Sequence, residues 1–363
     1  MTREDRIAVR SKARRSRSKG SAFTLAALPE QIVRHMCMGL RSSQALFVAV
    51  SLGIPDLLAD GSRTSNELAK STQTHAPSLR RLMRALVALG IFVEMDGDRF
   101  SLAPAGELLR SDTPGSQRSI VLFRVGPARW QGWSDLLQCV RSGEPAADRV
   151  LGMPLFDYYA LHPEESQMHD RAMAAFSRNA ATAFLAAYDL SPYRCAVDVG
   201  GGSGQLLAQM LCAYPRLNGV LFDLANVVDQ AGSTLSEAGV ADRCQVHAGS
   251  FFETMPSGGD IYLLKNVLHN WDDERAKAIL AKCRDAMSRD AMLLVLDRLL
   301  PERAEHGCKT DAYLLDLEML TLAPGGRERT QREMQALLEA TGFGFKGVIP
   351  TASSLSIIEG RPH

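Results

Sequence analysis

The chain has 363 residues, 46% of them hydrophobic and 23% charged, with 41 basic side chains balancing 41 acidic ones. That is enough apolar material for two packed cores, or for one with a large extension, and net charge makes no case either way for a polyanionic partner. No run approaches the roughly 20 apolar residues that cross a bilayer, and a cytoplasmic protein is expected. The cysteines (Cys37, Cys139, Cys195, Cys212, Cys244, Cys283 and Cys308) are scattered and never spaced as CxxC. This excludes a disulfide framework or a zinc site, and the histidines show no HExxH spacing, so no metal is expected.

Taken in chain order, residues 1–22 form a basic Ser/Arg-rich segment, expected to be a disordered tail because it has little to bury. "QALFVAVSLGIPDLLA" has helical spacing, stopped by Gly53 and Pro55. "TSNELAKSTQ" opens with a capping pattern, Thr64 or Ser65 before Glu67. "APSLRRLMRALVALGIF" is amphipathic, with Leu79, Leu82, Met83, Leu86 and Leu89 on one face. "FVEMDGDRFSLAP" reads as a hairpin turning at Asp96-Gly97. Helix–turn–helix followed by a small hairpin is a winged-helix pattern. Such motifs often bind DNA, but Arg80 and Arg84, one turn apart, fit a plain solvated face equally well. Residues 118 to 190 read as all-helical and rich in Met, Phe and Tyr. They form either a packed layer between domains or the wall of a pocket for a flat apolar ligand. For Trp130, Met173 and Phe176 both readings stand.

From "CAVDVGGG" onward, near-continuous apolar strands alternate with helices: "NGVLFDL", "CQVHAGSF", "DIYLLKNVL" and "AMLLVLDRLL" are the later strands, and "ANVVDQAGSTLSEAG" is one of the helices. The rhythm predicts an α/β domain with a doubly wound, mostly parallel sheet. Its first turn, "DVGGGSG", lacks the third glycine of a dinucleotide fingerprint, because Gln205 stands there, and has no lysine for phosphates. A leading carboxylate suits a ligand with an amino group or a nearby positive centre. Asp223, at the end of the next strand, is placed to accept ribose hydroxyls. Together they point to a nucleoside ligand. His269 follows the fourth strand and falls at the carboxyl edge, where ligands of such sheets bind. Asp297 and Glu328 can meet it, and a histidine oriented by carboxylates is the arrangement of a general base.

The motifs "DVGGGSG", "LFDL", "GSFFETMPSGGDIYLLKNVLHNWDDE", "LLVLDRLLP" and "APGGRERTQREMQALLEATGF" closely resemble the S-adenosylmethionine-dependent O-methyltransferases of the plant caffeic-acid and acetylserotonin type, in particular the bacterial branch acting on aromatic natural products such as phenazines and polyketides. The resemblance spans roughly residues 25 to 360. It implies a class I, Rossmann-like methyltransferase domain over 191–363, a winged-helix dimerisation domain over 23–112, a helical linker and substrate wall over 113–190, and a homodimer. It implies S-adenosylmethionine as cofactor, with Asp198, Gly200 and Gly202 at its amino-acid part and Asp223 and Leu224 at the ribose. Lys265 and Asn266 would lie along the adenosine, and Ser250, Phe251 and Trp271 around the adenine. His269 would be the base, with Asp297 and Glu328 as its orienting carboxylates. Trp130, Met173, Phe176, Asn179, Met319 and Leu320 would line the aromatic acceptor's site. The chain departs from the pattern at Ser250 and Asn270, where the family usually has Asp, and at Asp297, where Glu is common. The expected reaction is metal-independent methyl transfer to a hydroxyl of an aromatic small molecule. Its rivals are a same-fold enzyme performing hydroxylation or decarboxylation, and a winged-helix DNA-binding regulator.

Overall fold

The computed structural model describes residues 29–363 apart from 230, 308, 309 and 324; the basic tail lies outside the described residues. The first helix, α1 (Pro29–Ser51), begins well before the stretch whose spacing predicts it. Pro29 and Glu30 favour its first turn, while Val33, Met36 and Leu40 recur at helical spacing yet stay exposed on this chain. Gly53 is left-handed and ends the run, but Pro55 does not simply stop it. It sits in the first turn of a short second helix, Ile54–Leu57, where a missing N–H costs nothing.

Strand β1 (Arg63–Thr64), helices α2 (Ser65–Thr72) and α3 (Ala76–Ala88) and strands β2 (Phe92–Met95) and β3 (Arg99–Leu102) follow. Thr64 and Glu67 close the expected capping box on α2. Leu79, Met83 and Leu86 of α3 are buried as expected; Leu82 is half-buried, and Leu89, just past the helix end, is exposed. The hairpin turns through left-handed Gly97 and Asp98, and β3 pairs with both β1 and β2. Arg80 donates to Asp98 at 2.5 Å and Arg84 to Glu94 at 3.2 Å, so both guanidiniums are engaged by the hairpin's own carboxylates.

Helices α4 (Arg118–Arg124), α5 (Pro127–Ser134) and α6 (Pro163–Ala187) make up most of a helical layer. Long α6 joins the two halves: Ala180, Ala181 and Phe184 are buried in the C-terminal core, while Phe176 meets Phe123 of α4 edge to face. The C-terminal half is a seven-stranded sheet. In chain order its strands are β4 (Cys195–Val199), β5 (Asn218–Asp223), β6 (Cys244–Ala248), β7 (Ile261–Lys265), β8 (Met292–Asp297), β11 (Phe343–Pro350) and β12 (Ser356–Pro362). Across the sheet the order is β11-β12-β8-β7-β4-β5-β6, and β12 pairs antiparallel with both its neighbours while the other pairs are parallel. Alternate residues feed two cores. Ile261, Leu263, Leu294 and Leu296 pack with α7 (Gln205–Ala213) and α6 on one face. Tyr262, Leu264, Leu293 and Val295 pack with α8 (Asp273–Ala286) and α10 (Gln331–Ala340) on the other. Burial on both faces explains why these strands read as unbroken apolar runs. The stretch 225–239 predicted as one helix is two, Ala225–Val228 and Ala231–Glu237. No helix among the described residues is long and apolar enough to cross a membrane.

Candidate active site

Five parallel strands, β4 to β8, deliver their ends to one edge. At the end of β4, Gly200, Gly202 and Gly204 all adopt left-handed backbone, which a Cβ would strain. Gly200 is tight as well: a Cβ there would lie 2.9 Å from Val267 and 3.8 Å from the Phe251 ring. Asp198 is fully buried, and neither carboxylate oxygen has a hydrogen-bond partner. Burial pushes its pKa up to about 6 against the pull of Lys265. An orphaned buried carboxylate beside a glycine turn fits the amino group of an amino-acid moiety. At the end of β5, Asp223 accepts from the Gly202 N–H at 2.8 Å and the Leu224 N–H at 2.7 Å. One oxygen thus ties the glycine turn and the other caps the strand's own end, and each retains a lone pair for a further donor. The Leu224 side chain points outward and is exposed.

Past β6, Ser250 accepts from the Phe252 N–H at 3.3 Å, so its hydroxyl holds the local turn. Phe251, Phe252 and Trp271 form an edge-to-face trio with centroids 4.9–6.1 Å apart, in which Phe252 was not anticipated from the sequence. Lys265, ending β7, donates to Ser177 of α6 at 3.0 Å and is pulled on by Asp198 and Asp297, while burial lowers its pKa. Met173 precedes Ser177 by one turn on the same face of α6, so the helical wall meets the sheet edge there.

His269 leaves β7 through a left-handed Asn266 and sits in a single 3₁₀ turn, Leu268–Asn270. Its Nδ1 lies 2.9 Å from Glu328 Oε1. Since a carboxylate only accepts, Nδ1 carries the proton and Nε2 is left as the acceptor. The histidine is 9% exposed and Glu328 3%. Burial alone would lower the His269 pKa, but the Glu328 bond and the charges of Asp297 and Glu328 outweigh it and raise the value. The two carboxylates therefore play unequal parts. Asp297, ending β8, makes no hydrogen bond to the ring; both its oxygens are buried without partners, and burial raises its pKa to about 7. Glu328 arrives by another route, because β10 (Arg329–Thr330) pairs with β9 (Leu299–Leu300) just beyond Asp297.

Asn270, at the departure noted in the sequence, donates from Nδ2 to the Asn266 carbonyl at 3.1 Å. An aspartate there could not donate. Asn270→Asp is therefore expected to cost about 1 kcal/mol of stability, and an unchanged thermal midpoint would refute this role. Asn266 also keeps a buried, unpartnered Oδ1.

In the helical layer, Trp130 and Leu320 are half-buried, Met319 is buried and Asn179 is exposed. α9 (Thr310–Leu322) packs on α5 through a buried Arg129–Glu318 pair, and Arg129 lies 3.7 Å from the Phe123 ring centroid. Sequence spacing revealed none of Ser177, Arg129, Glu318 or Arg329, because each acts through a partner distant in the chain.

A doubly wound sheet with a glycine turn, a strand-end acid and a carboxylate-held histidine at one edge is the arrangement of a class I methyltransferase. Residues 133–344 match the O-methyltransferase domain family and residues 34–112 the O-methyltransferase dimerisation domain family, and the chain belongs to this family of S-adenosylmethionine-dependent O-methyltransferases. It is 41% identical to the phenazine O-methyltransferase PhzM of Lysobacter antibioticus, over 91% of this chain and 96% of that protein. It superposes with a TM-score of 0.80 on NcsB1, an O-methyltransferase from neocarzinostatin biosynthesis solved with S-adenosylmethionine and 2-hydroxy-5-methyl naphthoic acid, at 31% identity over 95% of this chain and 100% of the other. It is also 35% identical to the aclacinomycin 10-hydroxylase RdmB of Streptomyces purpurascens, over 84% of this chain and 82% of that protein. Overall similarity thus extends to a relative named for another reaction, and the site geometry must carry the mechanism.

Proposed function

We propose that the chain methylates a hydroxyl of a planar aromatic small molecule, with His269 as general base. The observation that carries this reading is the His269–Glu328 contact at the sheet edge, which leaves Nε2 as a proton acceptor. Bound at this edge, S-adenosylmethionine supplies a methyl carbon on a sulfonium sulfur, which departs with the C–S bonding pair as a neutral thioether. Asp198 would hold its amino group, Gly200 and Gly202 would let its amino-acid part approach, and Asp223 would take its ribose hydroxyls. Phe251 and Trp271 would border the adenine, with Lys265 along the adenosine.

A free phenol has a pKa of about 10 and is mostly protonated at neutral pH. His269 takes that proton as the oxygen–methyl bond forms, and Glu328 stabilises the imidazolium that results. The rest of the site aligns the reacting groups, a contribution of roughly 7–11 kcal/mol when reactants are well held. Met173, Phe176 and Met319 suit the face of a flat ring. The match to a dimerisation domain and the exposed apolar stripe on α1 support a homodimer. Exposed Cys37 and Cys212 as free thiols suit a reducing cytoplasm.

Assaying a panel of hydroxylated aromatics, phenazines and naphthoates among them, with methyl-labelled cofactor tests the reading. Label should appear as an aryl methyl ether. A hydroxylated or decarboxylated product without label would favour the rival chemistry.

A further inference from the structure

The turn carrying His269 is poorly held by its own backbone. Its internal bonds are the 3.2 Å contacts from the Asn270 N–H to Val267 and from the Trp271 N–H to Leu268. Three-residue 3₁₀ turns have weak hydrogen-bond geometry. The carbonyls of this turn are gripped from a segment some sixty residues later. Arg329 Nη1 donates to the Leu268 carbonyl at 2.9 Å and Nη2 to the Trp271 carbonyl at 2.9 Å. Between them, the Arg327 N–H donates to the His269 carbonyl at 2.8 Å. The guanidinium is 2% exposed and is itself anchored by Asp273, which accepts from Nε at 3.0 Å and Nη2 at 2.8 Å.

We propose that Arg329 is a positioning residue for the base: its planar fork fixes the backbone of the histidine turn while its neighbour Glu328 fixes the ring. The two grips share one support. The Glu328 N–H is tied to Asp316 at 2.8 Å, and Arg329 is paired with Leu299 in the short β9–β10 ladder. Backbone and ring of one histidine are therefore referenced to two adjacent residues, which fixes the direction of Nε2 relative to the sheet edge. Lysine could keep the charge but could not span two carbonyls and a carboxylate, because that takes several donors in a rigid plane. A misplacement of about 1 Å at a reacting group can cost ~10²-fold in rate.

This inference rests on His269 being the base, and the experiment separates the two ideas. Arg329→Lys is expected to lower kcat ~10- to 100-fold, a larger effect than any loss of calorimetric cofactor affinity passed on through the Trp271 carbonyl. Its ring would lose register with Glu328, so the acid limb of the kcat–pH profile should move to lower pH. Asp297 and Arg298, the other charged groups facing the ring, remain in the variant. Asp273→Asn, which loosens the anchor alone, should show a smaller kcat loss and a shift in the same direction. It supplies the decision if Arg329→Lys fails to fold. If the tested variant melts earlier but keeps its turnover per folded molecule and its acid limb, Arg329 is structural only and the proposal is overturned. If His269→Ala keeps wild-type turnover, the base reading itself is wrong. Loss in His269→Ala with none in Arg329→Lys removes only the role given to Arg329.

Discussion

His269→Ala is expected to bind S-adenosylmethionine with near wild-type affinity and to lose ~10²- to 10⁴-fold in turnover on a phenolic acceptor, the usual worth of a positioned general base. The separation follows from geometry: the glycine turn and Asp223 lie on β4 and β5, whereas His269 follows β7 and bonds to Glu328. The pH dependence has a fixed sign. His269 must be neutral to accept a proton, and its pKa is raised above the ordinary value of about 6.5. The inactive imidazolium therefore persists to higher pH than for a free histidine, and turnover should climb with pH through a midpoint above that value. Asp297, at about 7, titrates across the same window, and its ionisation strengthens the field that raises His269. Stopped assays from pH 5.5 to 9, with calorimetric cofactor binding alongside, check both parts. A variant that turns over normally, or an acid limb well below pH 6, would contradict the assignment.

Asp223→Ala should damage cofactor binding instead. The carboxylate holds the Gly202 and Leu224 N–H groups at 2.8 and 2.7 Å, and in the proposed reading it would also take the ribose hydroxyls. Bonds to a charged group are worth about 1.5–3 kcal/mol each; losing two at the lower figure weakens cofactor affinity ~10²-fold. Calorimetry with S-adenosylmethionine or its demethylated product measures this directly. Wild-type affinity in Asp223→Ala would mean that the ribose is held elsewhere.

Much of this site was legible in the residues because its signals are local. The glycine turn needs left-handed backbone within three neighbouring positions, and Gly200, Gly202 and Gly204 all adopt it. Strand-end residues are placed by the strand itself, so Asp223, Lys265 and Asp297 fall at the edge once the parallel sheet is inferred. Residues from 30 on read as short helices, whereas the fold runs α1 unbroken over Pro29–Ser51, its N-terminal stripe of Val33, Met36 and Leu40 exposed on this chain. The apolar periodicity of α3 extends on paper to Leu89, but the helix ends at Ala88 and Leu89 turns out to solvent.

Local chemistry thus dictated the strands, the turn and the candidates His269, Asp297 and Glu328, since backbone freedom, capping and apolar periodicity act within a few residues. Which of the two carboxylates touches the ring was decided only by the fold. Glu328 bonds the ring while Asp297 stays unpartnered, because the β9–β10 pairing brings the later segment across the turn. The same crossing sets Arg329 on the turn's carbonyls, and the packing of α6 sets Ser177 on Lys265. Contacts between residues 59 to 88 positions apart depend on how whole layers pack, and no short-range pattern in the chain encodes that.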